Sequence, residues 1–274
     1  MKDVRIAAAI VPCPVGEIEN NLERMNRWVV NAHRKDASLI CFPELNITGY
    51  TTRPEIRQAA RPLSGDIEHR LIGMARAEKM VILAGMAELG PDDCIYATHL
   101  VVTSDGKIQR YRKLHLAPPE QTELTPGNQI PIFKAAGITF GIQLCYDAHF
   151  PELSTQMALF GADVIFIPHA SPRVTPKEKL ASWMRHLPAR AYDNSVFIVA
   201  QNPCGENGLG LSFAGLAVAI GPSGKTLECY LDGREGMMIA DLTAADLSLV
   251  REHRMRYFLP NRRPEMYGFC HRKQ

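Results

Sequence analysis

The sequence predicts an α/β protein, a four-layer α-β-β-α sandwich in which two mixed sheets pack face to face within a single domain. Three observations carry this reading. Short apolar strands alternate with helical stretches in both halves of the chain, turn-linked strand pairs interrupt that alternation twice, and no Ser/Gly/Pro-rich linker divides the 274 residues. The βα units require parallel neighbours and the hairpins add antiparallel ones. Sheets covered by helices on one face must bury the other face against each other.

Residues 4–11 (VRIAAAIV) read as a buried strand, and residues 17–35 as a helix with Ile18, Leu22, Met25, Trp28 and Val29 on one face. A short apolar strand follows at 37–42, then a helix capped by Ser64 and running to about Lys79, then a strand at 81–86. Residues 95–103 and 107–113 form a hairpin around Ser104-Asp105-Gly106. A buried strand spans 138–145, Pro151 starts a helix, and residues 164–167 return to the sheet. Residues 176–194 are helical with an interruption expected at Pro188, followed by a strand at 196–201. The end repeats the hairpin texture, with strands at 216–220, 226–231 and 237–240 and a short helix after Thr243. We place the domain at residues 1–256, with 257–274 as a C-terminal tail rich in Arg and aromatics that could serve as an oligomer arm.

Charge argues against several functions. The 31 Lys and Arg nearly balance 29 Asp and Glu, so a nucleic-acid partner is not implied. The longest apolar runs, 6–11 and 164–168, fall far below the ~20 residues of a membrane span. Lys2, Asp3 and Arg5 precede the first strand without a signal-peptide core, so a cytoplasmic protein is expected. Seven cysteines lie no closer than 25 residues apart, and the nine histidines form no H-E-x-x-H, so neither a disulfide framework nor a metal site is supported.

The informative feature is three polar side chains placed where buried strands run out: Glu44, Lys113 and Cys145. Each has an ordinary alternative. A single cysteine is usually an inert core thiol, Glu44 could be a solvated strand-end charge, Lys113 one cation among three on an exposed face, and Glu120 a loop acid. The turn after Cys145 and the helix start nearby favour a reactive thiol, and Pro43 argues against free exposure of Glu44.

Together these segments resemble the nitrilase, or carbon-nitrogen hydrolase, superfamily. Phe42-Pro43-Glu44 is similar to its F-P-E segment, Tyr111-Arg112-Lys113-Leu114-His115-Leu116 to its Y-x-K-x-H-L segment, and Cys145-Tyr146-Asp147 with Phe150-Pro151-Glu152 to its C-Y-D-x-x-F-P-E segment. The resemblance implies a Glu44–Lys113–Cys145 triad, with Glu120 as a second site glutamate and Glu123 as its competitor. It also implies homo-oligomers built on a dimer and chemistry without a cofactor. Arg190-Ala191-Tyr192-Asp193-Asn194 and the Ala200-Gln201-Asn202 stretch match elements that carry packing more than chemistry.

Amide hydrolysis needs a nucleophile, a base and an oxyanion partner. In this reading Glu44 takes the proton of Cys145, Lys113 and the Tyr146 backbone N–H hold the oxyanion, and Glu120 orients Lys113. Tyr146 and Asp147 stand where nitrile-cleaving branches carry Trp and Glu, which favours a small linear amide or N-carbamoyl compound. Nitrile hydrolysis, acyl transfer and a non-catalytic ligand-binding protein are the alternatives. His149, His169, Ala170 and Arg173 are expected to border the substrate, Arg173 being the candidate cation for an acidic one. Gly221-Pro222-Ser223-Gly224-Lys225-Thr226 ends like a phosphate-binding loop but lies between strands and reads as a hairpin turn.

Overall fold

The computed structural model describes residues 1–63, 65–172 and 175–266. In its first half, β1 (Val4–Ile10), α1 (Ile18–His33), β2 (Leu39–Cys41), α2 (Glu55–Ala59), α3 (Asp66–Ala77), β3 (Val81–Leu89), β4 (Ile95–Val102) and β5 (Ile108–Arg112) follow in order. The second half begins with β6 (Phe133–Ala135), β7 (Ile138–Ile142), α4 (Pro151–Leu159), β8 (Val164–Pro168), α5 (Pro176–Trp183) and α6 (Leu187–Asn194). It continues through β9 (Phe197–Glu206), β10 (Ser212–Ile220), β11 (Thr226–Tyr230), β12 (Gly236–Leu242) and α7 (Ala244–Arg251), with two short 3-10 segments after them.

Six strands make each sheet, in the orders β12-β1-β2-β3-β4-β5 and β11-β10-β9-β8-β7-β6. β1, β2 and β3 run parallel, and so do β7, β8 and β9; all other neighbours are antiparallel. The two halves therefore share one plan: three parallel strands joined through helices, then two antiparallel strands, with a further antiparallel strand on the opposite edge.

Alternation along β1 shows how the layers form. Ile6, Ala8 and Ile10 join the core between the sheets, whereas Ala7 and Ala9 face the helix layer. Against that outer face α1 lays Ile18, Leu22, Met25, Val29 and Ala32, a 3.6-residue stripe, and each large side chain so buried stabilises by about 2 kcal/mol. β1 packs across onto β9 and β10, and α4 packs on α6 over the second sheet. The expected sandwich of two mixed sheets is thus what the chain forms. No helix among the described residues is long and apolar enough to cross a membrane.

Several boundaries differ from expectation. The strand expected to reach Cys145 stops at Ile142, because the Leu144 N–H is taken by Asp147 Oδ2 at 3.0 Å and the chain turns into a short 3-10 segment, Cys145–His149. The helix over 176–194 does break, but between Trp183 and Leu187; Pro188 sits in the first turn of α6, where its missing N–H costs nothing. Helix α2 and strand β6 were not expected, and β9 and β10 run longer than the apolar stretches that marked them. Ser64, expected to cap α3, lies outside the described residues.

Candidate active site

The site is built where β2 and β5 of one sheet and β7 and β8 of the other end. Beyond β2 the segment Phe42-Pro43-Glu44 is buried, Glu44 being 1% exposed, and is tied to the second sheet. Gln201 Nε2 donates to Phe42 O at 2.9 Å, and the Glu44 N–H donates to His169 O at 3.2 Å. The chain then turns back along β3 through Leu45, at φ +53°. Gly85 is required there: a Cβ would lie 2.4 Å from the Leu45 nitrogen.

Lys113, the first residue past β5, is fully buried. Its Nζ donates to Glu44 Oε1 and Glu120 Oε1, both at 2.8 Å. Burial opposes the ammonium, but the two carboxylates outweigh it and hold Lys113 above the ordinary lysine range. Glu120 is locked in turn by the Tyr50 hydroxyl at 2.9 Å and the Ala117 N–H at 2.8 Å. Glu123, its competitor by spacing, instead pairs with Arg57 at 2.7 Å.

Glu44 Oε2 is buried and has no hydrogen-bond partner among the described residues, leaving one carboxylate oxygen free to take a proton. Desolvation pushes the Glu44 carboxyl up to about 7, against the pull of Lys113 and with the help of Glu120. Cys145 opens its 3-10 turn at φ +45°, a left-handed geometry that costs a non-glycine residue about 1–2 kcal/mol. Burial and the Glu44 charge push its thiol up to about 12, with Lys113 and the Ala170 backbone acting against them. At neutral pH the resting sulfur therefore carries its proton, and the neighbouring carboxylate is poised to ionise.

Asp147, fully buried, fixes the cysteine turn to the lysine strand. Its Oδ1 accepts the His115 N–H at 2.8 Å and lies 2.8 Å from His115 Nδ1, while Oδ2 accepts the Tyr111 hydroxyl at 2.7 Å. Tyr111 and His115 flank Lys113 at two residues either side and both bond Asp147, so the Y-x-K-x-H spacing has a structural reason. Arg190 braces the same turn, its Nε donating to Ala148 O at 3.1 Å.

The structure brings Glu44, Lys113 and Glu120 into direct contact and sets Cys145 within their electrostatic reach. Tyr146 lies edge-on to Phe150 and lines a groove with Leu114, Leu116 and Leu124. His149 is exposed, its ring 4.6 Å from that of His186. His169 is buried; its Nδ1 lies 2.7 Å from Ile167 O, its ring packs on Trp183, and burial keeps it well below the ordinary histidine range. Arg173 lies outside the described residues. Sequence reasoning missed Tyr50 and gave Asp147 no role; the alternation of Tyr111, Lys113 and His115 was the signal available for the latter.

The carbon-nitrogen hydrolase family profile matches residues 5–252. The chain belongs to the carbon-nitrogen hydrolase family. It is 30% identical over 255 residues to an (R)-stereoselective amidase of Pseudomonas sp., covering 92% of this chain and 89% of that one. To a nitrilase of Pyrococcus abyssi it is 31% identical over 271 residues, covering 96% and 99%. Among solved structures, an amidase from Nesterenkonia sp. AN1 in complex with butyramide superposes with a TM-score of 0.79 at 25% identity, covering 96% of this chain and 95% of the other. This family member is accordingly an enzyme, a carbon-nitrogen hydrolase of the amidohydrolase kind that uses a cysteine.

Proposed function

We propose that this carbon-nitrogen hydrolase acts on a small linear amide or N-carbamoyl compound, with Cys145 as nucleophile, Glu44 as base, and Lys113 and Glu120 as the charged support of the site. The observation that carries the reading is the free Oε2 of a Glu44 carboxyl whose other oxygen is held by Lys113, beside a thiol on a left-handed turn. Glu44 takes the thiol proton as sulfur bonds to the substrate carbon, and the carbonyl oxygen, now negative, is stabilised by Lys113 and the Tyr146 backbone N–H. The C–N bond breaks as the proton passes from Glu44 to the leaving ammonia or amine. Water, deprotonated by the same carboxylate, adds to the thioester, and the C–S bond breaks to release the acid and restore the thiol.

A variant of the related Nesterenkonia amidase has been seen with the acetamide moiety of fluoroacetamide added covalently at its active site cysteine, which supports a cysteine nucleophile. We further propose a cytoplasmic homo-oligomer, a domain spanning residues 1–256, and residues 257–274 as a tail toward the partner copy. Phe258 and Met266, exposed on the described part of that tail, support its role as a contact arm; residues 267–274 lie outside the described residues.

The test is ammonia release from a panel of small amides, carbamoyl compounds and nitriles, with intact-mass measurement of the protein under turnover. An acyl adduct on Cys145 with free acid as product is expected. New amide in the presence of amine acceptors would assign acyl transfer instead, and no adduct with any compound would overturn the reading.

A further inference from the structure

Helix α5 brings a second ammonium to the wall of the site. Thr175 caps the helix, its Oγ1 accepting the Glu178 N–H at 3.3 Å while Glu178 Oε2 accepts the Thr175 N–H at 2.9 Å, which fixes where the first turn points. Lys179 and Trp183, four residues apart, share one face of it. Trp183 packs on the His169 ring with centroids 4.3 Å apart, and Lys179 Nζ donates to Ser171 Oγ at 2.7 Å.

Ser171 lies two residues past His169, whose carbonyl accepts the Glu44 N–H at 3.2 Å, and follows directly on Ala170, whose backbone acts to lower the Cys145 pKa. Its loop is rigid. Asn202 Oδ1 accepts the Ser171 N–H at 2.8 Å, Asn202 Nδ2 donates to Ser171 O at 3.1 Å, and Pro172 pairs with Phe213 of β10. The Lys179 ammonium is thus tied, through Ser171, to the segment that meets Glu44.

That ammonium is half-buried, and among the described residues it makes no ion pair, whereas Lys113 makes two. Burial depresses its pKa, and the Cys145 charge works the other way. Removing a charge from water without a carboxylate opposite is unfavourable, so the arrangement is completed when an anion arrives. Glu44 and Glu120 each give one oxygen to Lys113, and neither pairs with Lys179 among the described residues.

We propose that Lys179, presented by Ser171, is a specificity-determining residue that binds a carboxylate carried by the acyl part of the substrate, so that the preferred substrates are half-amides of dicarboxylic acids. The inference rests on the amide-hydrolysis reading above. A charge-assisted hydrogen bond of this kind contributes about 10- to 100-fold in binding.

The experiment compares kcat/KM for succinamate and glutaramate with that for butyramide and valeramide, in the wild type and in Lys179→Met and Lys179→Arg. The wild type is expected to prefer the acidic amides, and Lys179→Met to lower the acidic-to-neutral ratio about 10- to 100-fold through KM, with Lys179→Arg restoring much of it. Succinate is expected to inhibit the wild type more strongly than butyrate, a readout independent of any variant's folding. A ratio unchanged in Lys179→Met, or equal inhibition by the two acids, would overturn the proposal. Turnover of none of the four amides by the wild type would instead count against the amide-hydrolysis reading.

Discussion

The two halves of the chain run through the same strand plan and put different chemistry at matching points. Three residues past the first parallel strand stands a cysteine in each: Cys13 after β1 and Cys145 after β7. Cys13 is buried, its thiol donating to Val11 O at 3.4 Å, and its surroundings raise its pKa chiefly by desolvation. Cys145 is partly open, on a left-handed residue, and answers to Glu44, Lys113 and Glu120. The residue following the fifth strand is Lys113 in the first half and Leu231 in the second. Three residues past the second strand stand Glu44 and Ser171. One half thus supplies the charges and the other the sulfur and the loop that faces it. A topological site is generic to the plan, and the two cysteines differ in the charges around them: Glu44, Lys113 and Glu120 act on Cys145, Arg24 and Glu235 on Cys13.

The comparison is most severely tested at the two thiols. Cys145→Ala is expected to lower amide turnover by about 10⁴-fold or more, and Cys13→Ala to leave it within about twofold, both read as ammonia release. Comparable losses would mean that position in the plan, not charge, sets the difference. Next comes the base. With the Glu44 carboxyl raised to about 7, only its ionised form above that value accepts the thiol proton, so kcat/KM should climb with pH through about 7 and level off. The sulfur, protonated up to about 12, contributes nothing to that limb. Glu44→Gln should cost about 10³-fold and abolish the limb.

Asp147 joins the halves, so Asp147→Asn should break the coupling between them. Its two carboxylate oxygens serve four partners, and we expect a loss of about 2–4 kcal/mol in denaturant unfolding with a fall of about 10²-fold in kcat. Unchanged kcat in a destabilised protein would make the residue structural alone. The smallest effect is expected at Tyr50→Phe, which removes one hydrogen bond from Glu120; about 1 kcal/mol, or some fivefold in kcat, should be lost with KM little altered.

Much of the frame was legible because buried parallel strands announce themselves as apolar runs. Glu44, Lys113 and Cys145 stood out as polar residues at the ends of such runs, and joint spacing supplied the resemblance. What escaped was decided through space. Spacing could not separate Glu120 from Glu123, because the choice depends on which carboxylate the short turn after Pro118 directs inward. Tyr50 reaches Glu120 across 70 residues, and Lys179 reaches Ser171 from a helix whose own periodicity marks only its apolar side. Helix α2, five residues after Pro54, is too short for any period to register. The strand end was placed too late because Leu144 looks like core, and only the Asp147 side chain diverts its N–H.

The protonated state of Cys145 has a consequence for survival of the protein. Peroxides and alkylating agents attack the sulfur anion, and a thiol held at about 12 offers almost none of it at rest. On the proposed mechanism the thiol loses its proton only as sulfur attacks, so Cys145 is expected to react slowly with peroxide in the absence of substrate.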